Sequence, residues 1–191
     1  MQQSNGSQLS EQELVGLKAL VLRNTLYDCQ LRFTRGMDRF DEDLFLSAFH
    51  SDAVISAGPF VGSPQELYSW AKDLHEQGQK ATQHCLLNFN VDAQGDAAHT
   101  ETYYQFVARN KDDSNWIAGG RYIDKFTRID GQWRISTRQN IIEWSGLLPS
   151  LDIPFGDLPD VNDNGLAMRD KTDISYLRPL INRRQHQIPS D

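Results

Sequence analysis

The chain of 191 residues is long enough for one domain with a full core and short for two. Hydrophobic residues make up 39% and charged residues 24%, as in a soluble globular protein, and no apolar run approaches a membrane span of ~20 residues. The net charge of −7 argues against binding a nucleic-acid backbone, and the one basic cluster, Arg183-Arg184, lies in the tail.

Cys29 and Cys85 are too few for a disulfide scaffold or a zinc cluster. The opening Met-Gln-Gln-Ser-Asn-Gly-Ser has neither a basic nor an apolar leader segment. A cytoplasmic protein with free thiols, touching neither nucleic acid nor membrane, is the expectation. Residues 1–9 read as a flexible N-terminus.

Ser10-Glu-Gln-Glu13 is a capping box, with Ser10 as N-cap and Glu13 at the third helical position. The helix that follows should run to about Gly36, with Leu17, Leu20, Val21, Tyr27 and Leu31 as its buried face. Asp41 reads as the N-cap of a short helix carrying Leu44, Phe45 and Phe49. Residues 53–56 suit a short strand. Ser63-Pro64-Gln65-Glu66 is a second capping box, with proline at the first helical position, and opens a helix through Leu67, Trp70 and Leu74 to about Gly78.

The remainder of the core reads as β. Residues 82–92 alternate, placing Cys85, Leu87, Phe89 and Val91 on one face and His84, Leu86, Asn88 and Asn90 on the other. Strands over 97–109, 116–128 and 133–142 follow, with turns at Gln94-Gly95-Asp96 and Asp130-Gly131. Helices ahead of a meander of long strands give an α+β domain over 10–148 with an antiparallel sheet, not the βαβ order of a nucleotide-binding fold. No glycine-rich phosphate loop is present, so no nucleotide cofactor is expected. Beyond Trp144, the prolines 149, 154 and 159 and a run of Asp, Asn and Gly mark residues 149–191 as an irregular extension. Its Ile174–Leu180 stretch is apolar enough to dock.

The chemistry-bearing residues are His84, at the start of a strand, and Asp38, just past a long helix. A carboxylate that orients a histidine makes a general base. By residue type alone, Asp38 also fits an exposed helix-closing residue, and His84 a strand histidine bonded to a backbone carbonyl. Arg138 also fits a surface ion-pair ladder with Arg134 and Glu143. His50, His75, His99 and His186 read as surface or turn residues. His99 and Glu101 share a strand face, but no third ligand accompanies them, so no metal is expected.

Helices followed by a curved antiparallel sheet, and above all Gly119-Gly-Arg-Tyr-Ile-Asp-Lys-Phe-Thr-Arg-Ile-Asp-Gly-Gln-Trp-Arg-Ile-Ser-Thr-Arg138, resemble the SnoaL-like branch of the nuclear transport factor 2-like superfamily. The resemblance spans roughly residues 10–148 and implies a cone-shaped α+β fold. Enzymes of that branch include scytalone dehydratase, bile acid 7α-dehydratase and hexachlorocyclohexane dehydrochlorinase, which eliminate water or HCl without a cofactor. By that resemblance Asp38 matches the family carboxylate, His84 its base, and Arg138 the arginine used by the dehydrochlorinase. Phe33 departs, standing where those enzymes carry a polar Tyr or Lys helper, five residues before the aspartate.

The implied function is a cofactor-independent lyase (a dehydratase or other β-elimination) or an isomerase. Its catalytic residues are Asp38, His84 and Arg138, and its small hydrophobic substrate is alicyclic, steroid-like or aromatic. Phe33, Tyr104, Tyr122 and Trp144 would contact that substrate, with Trp70, Phe60 and Phe106 as further walls. The alternatives are a non-catalytic ligand-binding or assembly subunit, like the β-subunits of ring-hydroxylating dioxygenases, and a C–C or C–O lyase on aryl-propane compounds. A homodimer or homotrimer would cover the sheet face of Cys85, Leu87, Phe89 and Val91.

Overall fold

A computed structural model describes residues 9–188. The N-terminal stretch read as flexible therefore lies, over 1–8, outside the described residues. Helix α1 spans Glu11–Asp38, opening on the Ser10 capping box, and α2 spans Glu42–Leu46 with Asp41 as N-cap. Strands β1 (Phe49–Ala57) and β2 (Phe60–Gly62) precede α3 (Pro64–Gly78), which opens on the Ser63 capping box. Four long strands follow: β3 (Gln79–Gln94), β4 (Ala97–Asn110), β5 (Asn115–Ile129) and β6 (Gln132–Leu148). Past Leu148 the described chain holds a single 3₁₀ turn, Ile174–Tyr176.

All six strands form one sheet in the order β2-β1-β6-β5-β4-β3. The hairpins from β3 to β6 are antiparallel, as expected from their turns, where Asp130 and Gly131 both take positive φ (50° and 76°). The sheet is nevertheless mixed, because β1 lies parallel to β6. A whole helix and several strands separate the two in sequence, so β1 is joined by a crossover and not a turn, and its direction is free of hairpin geometry.

Single-residue slips bend the sheet around the helices. In β3 an extra residue falls between Leu86 and Phe89; in β6 the extra residues are Glu143 and Ser136. The slip in β3 changes which side chains face inward. Thr82, His84 and Leu86 point to the helices, and beyond the bulge Phe89 and Val91 do so instead. The strict alternation read from sequence, with Phe89 and Val91 on the outer face, fails at that point.

The buried face of α1 also differs from the expected one. Leu17, Leu20, Val21 and Leu31 are exposed, Leu20 by 63%, whereas Leu26, Cys29, Gln30, Phe33 and Met37 are buried. The sheet covers only the second half of the 28-residue helix, so the first half projects past the core. At the covered end, Gly36 lets α2 pack backbone to backbone: a Cβ there would stand 2.5 Å from the Phe45 nitrogen. This contact seats Phe45 and Phe49 against Phe33, with ring centroids 5.4 and 5.9 Å away. Such aromatic pairs contribute ~0.5–1.5 kcal/mol each beyond their area burial.

Candidate active site

Asp38 is the last residue of α1. Phe40 takes a positive φ of 49°, ending the helix and turning the chain into α2. The Asp38 carboxylate thereby reaches the start of β3 and grips it at two residues. Oδ1 accepts from the Thr82 hydroxyl at 2.9 Å and from His84 Nδ1 at 2.7 Å, while Oδ2 accepts the His84 backbone N–H at 2.9 Å. Burial alone would raise the Asp38 carboxyl, but the adjacent His84 ring and the hydrogen bonds from His84 and Thr82 hold it below its usual value.

An ionised carboxylate accepts and does not donate, so His84 donates from Nδ1, and Nε2 is the ring nitrogen left over for proton transfer. That ring packs 4.6 Å from Phe106 and edge-on to Phe33. It lines a cavity of about 220 Å³ between α1, α3 and the inner face of the sheet. Met37, Trp70, Phe106, Trp116 and Tyr122 make most of the wall apolar, and Phe60 stacks behind Trp70 at 5.5 Å.

Arg138 closes the inner end of this cavity and is only 1% exposed. Its Nε and Nη2 donate to the two Asp124 carboxylate oxygens at 2.7 and 2.8 Å, and Nη2 also donates to Gln30 Oε1. Gln30 Nε2 completes the ring by donating to Asp124 Oδ2. The guanidinium lies between the Phe33 and Tyr122 rings, 4.2 and 4.3 Å from their centroids. Nη1 is buried with no hydrogen-bond partner among the described residues. A surface ladder with Arg134 and Glu143 is thereby excluded. Glu143 pairs with Arg121 instead, and Arg134 donates to Gln132.

Phe33, Tyr104 and Tyr122 all line the cavity. The two tyrosine rings stack at 4.3 Å, and the Tyr104 hydroxyl donates to Asn140 Oδ1 at 2.9 Å. Burial pushes both phenols above their ordinary value, so they remain protonated. Trp144, expected as a substrate contact, does not line the cavity. The bulge at Glu143 turns it to the outer face over Gly119, where a Cβ would overlap its ring, and it is 45% exposed.

Three site residues escaped the sequence reading. Asp124 lies on the inward period of β5 between Tyr122 and Phe126, and an acid in an apolar row was its available signal. Gln30 stands one turn from Leu26 and Phe33 on the buried side of α1. His75, expected at the surface, lines the cavity with its ring centroid 6.3 Å from that of His84. Its spacing of four from Ala71 places it on the buried face of α3. His75 Nδ1 bonds Gln79 Oε1 at 2.6 Å, and burial, despite that bond, pushes the ring down to about 4. His50 is likewise buried, its Nε2 bonded to the Thr127 carbonyl at 3.0 Å. Among the described residues no group of three or more His, Cys, Asp or Glu is arranged to hold a metal ion.

Solved structures share this architecture. A type 2 hexachlorocyclohexane dehydrochlorinase is 16% identical with a TM-score of 0.66, covering 75% of this chain and 99% of its own. A candidate scytalone dehydratase from Novosphingobium aromaticivorans is 18% identical with a TM-score of 0.61, covering 70% and 91%. A protein of unknown function from Mycobacterium tuberculosis is 17% identical with a TM-score of 0.59, covering 80% and 87%. At these identities the likeness is one of fold. No curated protein sequence matches the chain. Residues 19–139, from within α1 to about the middle of β6, match the SnoaL-like domain. The chain belongs to the SnoaL-like family.

Proposed function

We propose that this protein is a cofactor-independent lyase or isomerase, most simply a dehydratase, acting on a small ring compound. One observation carries the reading: the Asp38 carboxylate, 2.7 Å from His84 Nδ1, leaves Nε2 as the ring nitrogen available to act as a base at the wall of a largely apolar cavity. His84 Nε2 takes a proton from a carbon made acidic by a neighbouring carbonyl or ring. The electron pair of that C–H bond forms the new double bond, and the β-substituent departs with its own pair. Asp38 stabilises the imidazolium formed. Arg138 Nη1 donates to the departing group, and for hydroxide the imidazolium returns its proton to make water. Phe33 offers no acid, and the Tyr104 proton goes to Asn140, so the neutral Tyr122 phenol is the phenolic donor at the wall not already engaged.

Cavity size narrows the substrate. An enclosed apolar cavity of about 150 Å³ holds a benzene, so about 220 Å³ suits one ring or two fused rings. A steroid, included in the sequence expectation, would protrude through the mouth. The free thiols of Cys29 and Cys85 support a cytoplasmic setting, and no helix among the described residues is long and apolar enough to cross a membrane. Exposed Leu17, Leu20 and Val21 on α1, with Leu87, Ile141 and Trp144 on the sheet, support a homodimer or homotrimer.

The test is a panel of one- and two-ring β-hydroxy ketones and halogenated alicyclic compounds, guided by native mass spectrometry of any co-purifying ligand. With a turned-over compound, His84→Ala should abolish activity, and Asp38→Asn should lower kcat by about 10²–10⁴-fold with the fold intact. Unchanged turnover in either variant overturns the reading.

A further inference from the structure

We propose that the C-terminal extension completes this site: Arg169 is a positioning residue that acts through Thr82 to hold the Asp38 carboxylate toward His84. The inference rests on the reading of Asp38 and His84 as an acid–base pair. Arg169 lies well beyond the family match at 19–139, so nothing in the shared domain supplies it.

The Arg169 guanidinium is inserted where α3 passes into β3. Nη1 donates to the His75 and Gln79 carbonyls at 3.1 and 3.3 Å, and Nη2 donates to Thr82 Oγ1 at 3.3 Å. Its Cζ lies 3.9 Å from the Phe40 ring centroid, on the turn that follows Asp38. Thr82 is 2% exposed, and its single hydroxyl proton goes to Asp38 Oδ1 at 2.9 Å. The order of donation is therefore set from one end: arginine N–H to hydroxyl oxygen, hydroxyl proton to carboxylate. Such a chain polarises each member in the same sense, and its positive end favours the ionised carboxylate at the other.

The extension is clamped so that Arg169 stays in place. Asp173, 2% exposed, accepts the backbone N–H groups of Met168 and Ser175 at 2.8 and 2.9 Å and lies 3.7 Å from Arg39 Nε. The Tyr176 hydroxyl donates to Asp41 Oδ2 at 3.0 Å, with Arg35 over its ring. Burial lowers the Arg169 guanidinium and the nearby Arg39 opposes its charge, while Asp38 and Glu76 favour it; His75, whose ring burial pushes down to about 4, also borders it. The acidic partner it reaches through a hydrogen-bonded neighbour is Asp38.

The experiment uses the full chain labelled with ¹⁵N and ¹³C, reading the His84 tautomer from its ring nitrogens and the Asp38 titration from its carboxyl carbon. Wild type should show His84 protonated on Nδ1 alone. Arg169→Met should give a mixture of tautomers and move the Asp38 midpoint upward, since a positive neighbour is lost. Thr82→Val should reproduce the tautomer mixture, Arg169→Lys should restore the midpoint in part, and Tyr176→Phe, which loosens the clamp alone, should change neither. A folded Arg169→Met protein with both signals unchanged overturns the proposal and leaves the extension a purely structural strap. If Arg169→Met does not fold, an unchanged tautomer in Thr82→Val overturns it equally. A wild-type His84 protonated on Nε2 instead overturns the underlying acid–base pair, a pattern distinct from either.

Discussion

Replacing His75 by glutamine should flatten the acid side of this protein's stability curve. An unperturbed histidine titrates near 6.5, whereas burial, joined by the neighbouring His84 and Arg169, pushes His75 down to about 4. Between those values the unfolded chain binds a proton that the folded chain does not. Stability therefore rises with pH across this window, is fully present above about 6.5, and is lost as pH falls towards about 4. At about 1.4 kcal/mol per pH unit the whole span amounts to roughly 3 kcal/mol, of which roughly 2 kcal/mol falls between pH 7 and pH 5. Asp38, held below its ordinary 3.8, adds its own loss only beneath this window. The assay is urea unfolding of wild type and His75→Gln at pH 7 and pH 5. The difference between the two proteins should change by about 2 kcal/mol, with wild type losing more in acid. Glutamine keeps the helix and a polar group beside Gln79, so a common pH dependence for both proteins would refute the claim that folding buries His75 uncharged.

Arg138→Met should cost about 3–5 kcal/mol, because it strands the buried Asp124 carboxylate, and Asp124→Leu in the same chain should recover part of that loss. Calorimetry checks both, and an unchanged melting temperature in Arg138→Met would contradict the buried pair. Light scattering should give a dimer or trimer mass, and Leu20→Glu or Trp144→Glu should shift it towards the monomer if those exposed faces are the contact. A monomeric wild type removes the assembly proposal.

Much of the secondary structure was legible because its causes are local. Both capping boxes, Pro64 at the first turn of α3 and the Asp130-Gly131 turn act over three or four neighbouring residues. The candidate pair was legible for another reason. Asp38 ends a helix and His84 lies early in a strand, and each invited comparison with a family position by its neighbouring residues. Their mutual geometry was not legible, since 46 residues separate them. The misreadings share one cause. Periodicity says that a face is apolar but not how far a partner extends, so Leu17 and Leu20, expected inside, lie outside. Nor does it announce a bulge, which is why Phe89 and Trp144 lie on the sides opposite to those expected.

From the amino-acid order alone follow the helix starts, the hairpins, the α+β order and the residue types of the candidate site. Those depend on hydrogen bonds and backbone preferences satisfied within a few residues. The tertiary structure alone decided the parallel seam of β1 with β6, the burial of Gln30, Asp124 and Arg138 in one ring, and the presence of His75 in the cavity. It also decided that Arg169 reaches Thr82 from 87 residues away. Such contacts join groups from distant elements. Taking charges such as Arg138 and Asp124 out of water is costly, and only partners brought together from distant segments offset that cost.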